Sequence, residues 1–285
     1  MLINKRKVQK NFSAAAAGYD RLSGLQQEVS QLLFSCFPVS SIGAHRILDI
    51  GTGTGKSLLD LARAFPSGDL HGLDLAYGMI SHASRMARED AFFTPSRGRK
   101  YPLFLQADAE KLPYRTKSFD LVLSNLAYQW VSDLGHAFRE VYRVLKPGGR
   151  FSFSTLGRGT LAELHCSFGE AYRKLGKESP QPHGQLFAAP DEVERIMKDS
   201  GFLGIIIREH AMKRAYPDVR SLLLELKATG ASNATLSRSV GLGRRRVLEE
   251  MSNHYRQHFF DAHLLQDGQG ILATYQVILA QGEKG

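Results

Sequence analysis

The sequence predicts an α/β fold: a mostly parallel sheet with helices on both faces, preceded by a helical segment and carrying a helical insertion before its last strand. Three observations predict it. Between residues 45 and 156, short apolar runs alternate with amphipathic runs at helical spacing. Proline and glycine punctuate those runs, at Pro66 and at Pro147-Gly148-Gly149. Acidic residues stand at the ends of successive apolar runs, over the crevice where open parallel sheets bind ligands.

Residues 1–40 are expected to form an N-terminal helical segment, because an alanine run precedes Leu25, Val29, Leu32 and Leu33 at helical spacing. HRILDIG reads as the first buried strand and SLLDLARAFP as an amphipathic helix stopped by Pro66. DLHGLDLA is a strand and turn, GMISHASRMARED a helix, and PLFLQADA and FDLVLSNLA are strands. LGHAFREVYRVLKPGG reads as a helix ending at its Pro-Gly-Gly, and RFSFSTL as the fifth strand. A helix GTLAELHCSFGEAYRKLG, a proline-rich break ESPQPHG and a second helix APDEVERIMKDSGF follow, the last with Asp191 as N-cap or first-turn residue and Gly201 as C-cap. LGIIIREHAMKRAYP is a strand. Residues 218–262 read as two basic helices forming a lid over one end of the sheet, and GILATYQVILAQ as the closing strand. The whole chain, 1–285, is expected to be a single domain with residues 45–156 as its ligand-binding core.

With 43% hydrophobic and 23% charged residues, the 285-residue chain falls outside the disordered and fibrous classes and can bury a large core. No apolar run approaches the roughly 20 residues that span a bilayer, and the basic start MLINKRKVQKNFS has no apolar stretch behind it. The expectation is a cytoplasmic protein without a signal peptide or a membrane partner. Cys36 and Cys166 are too few for a disulfide framework and lack metal-ligand spacing; both are expected to be buried or half-buried thiols, and no metal is expected. The net charge of +9 suggests an acidic partner, and charge alone does not separate nucleic acid, membrane surface and acidic protein.

The stretch ILDIGTGTGKS, Ile47 to Ser57, suits three ligands at first sight. Its Gly55-Lys56-Ser57 tail is that of a triphosphate loop, but such a loop needs glycine at position 50, which is Ile. A dinucleotide fingerprint wants a small residue at position 56, which is Lys. The crowded Gly51-x-Gly53-x-Gly55 suits S-adenosylmethionine, which has no pyrophosphate. Asp49 agrees: its charge attracts the ammonium of a methionine moiety and would repel a pyrophosphate. A Gly-x-Gly-x-Gly by itself can be a tight turn, so the next strands must concur. Asp74 ends the second strand, roughly 20 residues past the loop, where an acid accepts from ribose hydroxyls. Asp108 follows the third strand, placed to accept from the adenine amino group while Ala109 leaves room for the ring.

ILDIGTGTG, GLDLA, ADAEKLPY, SFDLVLSN and VLKPGGRFSFST, in that order, resemble the class I S-adenosylmethionine-dependent methyltransferases over about residues 45 to 156. The resemblance implies their Rossmann-like fold, a seven-stranded sheet with an antiparallel last strand. The candidate cofactor residues are then Asp49, Gly51, Thr52, Gly53, Gly55, Asp74, Leu75, Asp108, Ala109 and Asn125. Further pieces, FSAAAAGYDRLSGLQ, SNLAYQW, FSTLGRGTLAELH and LKATGASNA, are similar to the malonyl-[acyl-carrier protein] O-methyltransferases of biotin synthesis and are spread over nearly the whole chain. This closer resemblance implies methylation of the free carboxylate of a malonyl thioester, on acyl carrier protein or coenzyme A, and matches Tyr19 to the family's N-terminal segment.

A malonyl carboxylate is already ionised at neutral pH, so the chemistry needs alignment and exclusion of water more than a general base. Tyr19, Tyr128, Gln129 and Trp130 are the candidates for shaping the site, with packing as the alternative for Tyr128 and Trp130. His165 either lines the site or faces the core. Lys213, Arg214, Arg220, Lys227, Arg244, Arg245 and Arg246 either form a solvated face or dock an acidic carrier protein. A small-molecule methyltransferase, for instance of a quinone precursor, shares every cofactor motif, and a non-catalytic cofactor-binding protein would share them too. A nucleic-acid methyltransferase fits less well: SNLAYQW lacks the Asn/Asp-Pro-Pro-aromatic clamp and has no cysteine nucleophile.

Overall fold

The computed structural model describes residues 3–38, 45–93, 100–178, 187–229, 242–265 and 268–285. The ESPQPHG break beyond Glu178 and residues 230–234 of LKATGASNA lie outside them. Three N-terminal helices, α1 (Lys5–Ala15), α2 (Tyr19–Leu22) and α3 (Gly24–Cys36), lead into β1 (Arg46–Ile50). Then come α4 (Lys56–Ala64), β2 (Asp69–Asp74), α5 (Tyr77–Glu89), β3 (Leu103–Gln106), β4 (Phe119–Asn125), α6 (Leu134–Val144) and β5 (Leu145–Leu156). The chain continues through α7 (Ala162–Lys174), α8 (Pro190–Asp199), β6 (Phe202–Tyr216), α9 (Val219–Ala228), α10 (Leu242–His258), β7 (Phe260–Leu265) and β8 (Gly268–Lys284).

The strands lie in the order β3-β2-β1-β4-β5-β8-β6, with β7 paired to β8. β1 is parallel to both β2 and β4, so the order reverses between β1 and β4 and the loops leaving their C-terminal ends diverge. Contacts group the chain into two compact units, 1–155 with 188–209 and 278–285, and 156–187 with 210–277.

In the first unit the sheet is buried on both faces, as its near-continuous apolar strands require. Leu48, Ile50, Val122, Phe151 and Phe153 pack with Phe138, Val141, Val193 and Met197 from α6 and α8. The alternate residues Ile47, Leu121 and Leu123 pack with Leu58, Leu61 and Ala62 from α4. α8 starts with Pro190 in its first turn followed by Asp191 and Glu192, and Gly201 beyond its end takes φ 97°, as its sequence signals predict. In the second unit α7 packs along α10, with Lys174 paired to Glu250 at 2.6 Å. Tyr216 donates to Glu225 Oε1 at 2.8 Å, and its oxygen lies 3.1 Å from that of Tyr275.

Several expectations change. Eight strands, not seven, are present among the described residues. The extra one, β7, arises because the second insertion helix stops at His258 instead of running to Ala262, and Phe260 and Asp261 pair antiparallel with Ile271 and Gly270. Helix α6 ends at Val144 rather than at the Pro-Gly-Gly. Pro147 would clash with the Arg143 carbonyl in a helix, and the Arg143 and Val144 carbonyls instead accept from Lys117 N at 3.0 Å and Ser118 N at 2.7 Å. Lys146 to Gly149 then bulge from β5, whose register on β4 moves from Phe119↔Leu145 to Leu121↔Arg150. Cys166 is exposed, because α7 turns Leu164, Ser167 and Phe168 inward; Cys36 is half-buried.

Candidate active site

The loop from β1 to α4 takes its shape from three left-handed glycines, Gly51, Gly53 and Gly55, with φ 72°, 57° and 81°. Their reasons differ. A Cβ on Gly51 would fall 2.2 Å from Ala127 Cβ, and one on Gly55 2.9 Å from Ala83 Cβ, so these two glycines let secondary structure close together. A Cβ on Gly53 would meet nothing within 4 Å. The open space that lets a ligand approach backbone is therefore beside Gly53. The amides of Gly51 and Thr52 both donate to Leu73 O, at 2.7 and 3.0 Å, tying the loop to β2.

Parallel register brings the acids to that loop, since Asp49 pairs with Gly72 and Ile50 with Leu73. Asp49 is only 4% exposed. Burial pushes its carboxyl up to about 6, and the Asp74 charge adds to the rise. Asp74, half-buried at the end of β2, is likewise pushed up to about 6 by loss of water, against the backbone donors Ala76, Gly53 and Leu75. It accepts from Gly53 N at 3.0 Å and Ala76 N at 2.8 Å. Asp108, half-buried after β3, accepts from Glu110 N at 3.0 Å and from Lys5 Nζ at 2.6 Å. The loop behind it is braced by α6: Leu112 N donates to Glu140 Oε2 at 2.8 Å, and Arg143, paired to Glu140 at 2.7 Å, donates to the Leu112 and Tyr114 carbonyls at 3.0 and 2.7 Å. Ala109 and Leu75 are half-buried beside these acids in the chain.

The N-terminal helices close over this end of the sheet. Thr54 Oγ1 donates to Asp20 Oδ1 at 2.6 Å, Lys56 Nζ to Gln27 Oε1 at 2.8 Å, and Asn125 Nδ2 to Gln26 O at 2.8 Å. Tyr19, Asp20, Gln26, Asp49, Gly51, Gly53 and Asn125 line a cavity of about 70 Å³. Burial, then the charges of Asp74 and Asp20, hold the Tyr19 phenol well above its ordinary range. Gln26 Oε1 is buried with no hydrogen-bond partner among the described residues. Asp20, Gln26, Gln27, Thr54 and Lys5 were not among the sequence candidates, although Asp20 sits in the segment quoted for Tyr19.

After β4 the chain turns through Leu126, a non-glycine residue at φ 50° whose amide lies 3.0 Å from Ser154 Oγ. The next residues separate in role. Tyr128 is 3% exposed, edge-on to Phe138, Phe151 and Phe153 at 5.2 to 5.6 Å, and its buried hydroxyl has no hydrogen-bond partner among the described residues. Gln129 is half-buried and donates to Leu126 O at 2.7 Å; Trp130 meets Phe12 of α1 edge-on at 5.5 Å. In the second unit His165 is half-buried on α7. Lys213, Arg220, Lys227, Arg245 and Arg246 are exposed and Arg214 is half-buried, while the side chain of Arg244 lies outside the described residues. Among the described residues no three His, Cys, Asp or Glu side chains gather as a metal site needs, and no helix is long and apolar enough to cross a membrane.

The methyltransferase-domain family matches residues 48–153, which carry the glycine loop and all three acids. The malonyl-[acyl-carrier protein] O-methyltransferase of Geobacter sulfurreducens is 35% identical over 283 residues, 99% of this chain and 100% of its own. The chain belongs to the malonyl-[acyl-carrier protein] O-methyltransferases. Within that family's range of architectures, the biotin biosynthesis bifunctional protein BioHC of Saccharophagus degradans is 36% identical over 278 residues, 96% of this chain but 46% of its own length. Among solved structures, Haemonchus contortus phosphoethanolamine N-methyltransferase 2 in complex with S-adenosyl-L-methionine superposes with a TM-score of 0.54 at 20% identity, covering 96% of this chain and 57% of that one. At that identity the likeness shows the shared class I fold. The family membership makes this chain a methyltransferase that uses S-adenosylmethionine as methyl donor. Its crevice fits that group: Gly53 opens on free space, the buried Asp49 and the half-buried Asp74 stand beside it, and Gln26 offers a buried acceptor with no partner among the described residues.

Proposed function

We propose that this enzyme methylates the free carboxylate of malonate carried as a thioester on acyl carrier protein, giving a malonyl methyl ester early in biotin synthesis. Similarity over nearly the full length to relatives of that name supports the substrate; the observation that carries the catalytic reading is the set of Asp49, Asp74 and Asp108 at the ends of β1, β2 and β3, with Asp74 accepting from the Gly53 amide and Asp49 lining the same cavity as Gly53. S-adenosylmethionine, when bound, supplies an electrophilic methyl on a sulfonium. Asp49 pairs with the ammonium of the methionine moiety, Asp74 accepts from the ribose hydroxyls, and Asp108 accepts from the adenine amino group. Thr52, Leu75, Ala109 and Asn125 shape the walls, and the Gly53 backbone allows close approach. Tyr19, Gln129 and Trp130 position the substrate. Its carboxylate is ionised at neutral pH, so these side chains act by alignment and by excluding water, effects that can be worth roughly 7–11 kcal/mol.

The exposed cations of the second unit are read as the carrier's docking face. Arg220 and Lys227, seven residues apart, share one face of α9 with Leu224, which is 54% exposed. Arg245 is engaged by Glu249 at 3.0 Å, so Arg246, Lys213 and the α9 pair carry most of the available charge. Incubation with methyl-labelled S-adenosylmethionine and malonyl-acyl carrier protein, malonyl-coenzyme A, a quinone precursor or RNA tests the reading. Base-labile label on the malonyl carrier is expected, and label in RNA or the quinone precursor alone overturns it. Arg220→Glu with Lys227→Glu is expected to raise KM for the carrier substrate at least tenfold with cofactor Kd unchanged; an unchanged KM removes the docking face.

A further inference from the structure

Lys5, the first residue of α1, reaches across the crevice to the acids that follow β3. Its ammonium lies 2.6 Å from Asp108 Oδ2 and 2.9 Å from Glu110 Oε1. Glu110 Oε1 also accepts the amides of Ser132 and Asp133, so the same carboxylate ties the β3 loop to the turn after Trp130. Farther along α1, Ser13 Oγ accepts from Gly78 N at 3.2 Å, and helix and turn approach so closely that a Cβ on Gly78 would stand 2.4 Å from Ser13 O. Phe12 and Tyr19 pack with Ala16 against Ala76 and Met79. At the glycine loop, Asp20 holds Thr54 and Gln27 holds Lys56. One segment, residues 5 to 27, is thus fastened at both ends of the crevice. A cavity of about 70 Å³ beside the glycine loop lies against the Tyr19–Gln27 part of that segment.

We infer that Lys5 is a latch on this crevice and a positioning residue for its adenine end: its ammonium occupies the acceptor on Asp108 that the adenine amino group takes. The inference rests on the reading of Asp108 given above. Asp108 Oδ1 is engaged by the Glu110 amide at 3.0 Å, so Oδ2 is the oxygen for which the two donors compete. Entry of the cofactor requires the Lys5–Asp108 pair to break and α1 to swing away. Once the ligand is seated, Lys5 keeps Glu110 as its partner, and α1 recloses with Asp108 ceded to the adenine. The pair is half-exposed, hence weak and screened by salt, which suits a contact broken in every cycle.

Trp130, the chain's one tryptophan, reports the motion because Phe12 of α1 lies against its ring. Stopped-flow binding of S-adenosylhomocysteine, followed by Trp130 fluorescence, is the experiment. Lys5→Met is expected to associate about fivefold faster, the size expected of one half-exposed ion pair. Its apo form should also be more open to acrylamide quenching. The parent's association should quicken with added salt and that of Lys5→Met should not, while Lys5→Arg keeps the parental rate. Equal rates and equal salt dependence in parent and Lys5→Met overturn the latch, as does a variant that only loses Tm. Asp108→Ala separates the two readings. Parental cofactor Kd in that variant removes the adenine assignment, whereas weakened binding together with an unchanged Lys5→Met rate removes the latch alone.

Discussion

Replacing Asp49 by Asn should make the cofactor-free protein more stable while destroying its affinity for cofactor. Asp49 is 4% exposed, and burial lifts its carboxyl from an ordinary 3.8 to about 6. A displacement of roughly two units corresponds to about 3 kcal/mol. The folded value is the higher one, so between these pH values the folded chain holds a proton that the unfolded chain has lost. The stabilising contribution is fully present below about pH 3.8 and is lost as pH rises through about 6. Asn carries no such dependence. At pH 7.5 without cofactor, Asp49→Asn is expected to be more stable than the parent by about 1–3 kcal/mol, a gap roughly halved at pH 5. Saturating S-adenosylhomocysteine should reverse the order, because the parent gains binding free energy that the variant cannot. Urea unfolding at both pH values, with and without ligand, reads all four quantities. A variant less stable than the parent at pH 7.5 without ligand, or equally protected by ligand, would refute the view that this carboxylate is held in readiness for a cation.

The same acids set a pH dependence for binding: cofactor Kd should be flat above about pH 6 and rise as pH falls below it, with proton uptake avoided and proton release measured calorimetrically on binding near pH 6. Gly51→Ala should fail to fold or lose several degrees of Tm, since its Cβ meets Ala127 at 2.2 Å, whereas Gly53→Ala, with nothing within 4 Å, should lose about 1 kcal/mol of stability and most of its cofactor affinity. Tyr128→Phe removes a buried hydroxyl that has no partner among the described residues, so unfolding should show equal or slightly higher stability with kcat retained; a fall in kcat would place this phenol on the substrate.

Much of the sheet was readable because β1 and β2 are short, largely apolar runs that end at a glycine or an acid and alternate with amphipathic helical runs. Asp49, Asp74 and Asp108 were readable for the same reason, since parallel strands deliver their ends to one edge. The sequence does not separate the members of the glycine loop: only contacts to Ala127 and Ala83 distinguish Gly51 and Gly55, which allow packing, from Gly53, which faces open space. The Pro-Gly-Gly misled because a helix stop and a strand bulge use the same residues, and the difference lies in which amides cap Arg143 and Val144. β7 was hidden in a run whose helical spacing continues past His258 and whose strand character depends on pairing with Ile271. Lys5 and Gln26 carry no local signal, because their roles depend on residues roughly a hundred positions away.

The brace of Glu140 and Arg143 on Leu112 and Tyr114 has a genetic consequence. The loop that carries Asp108 is held in shape from helix α6, about thirty residues farther along the chain. A random-mutagenesis screen scored only for lost cofactor affinity should return Glu140 and Arg143 beside Asp108, and a map of the hits drawn along the sequence would then assign ligand contact to a helix whose part is to keep another loop in register.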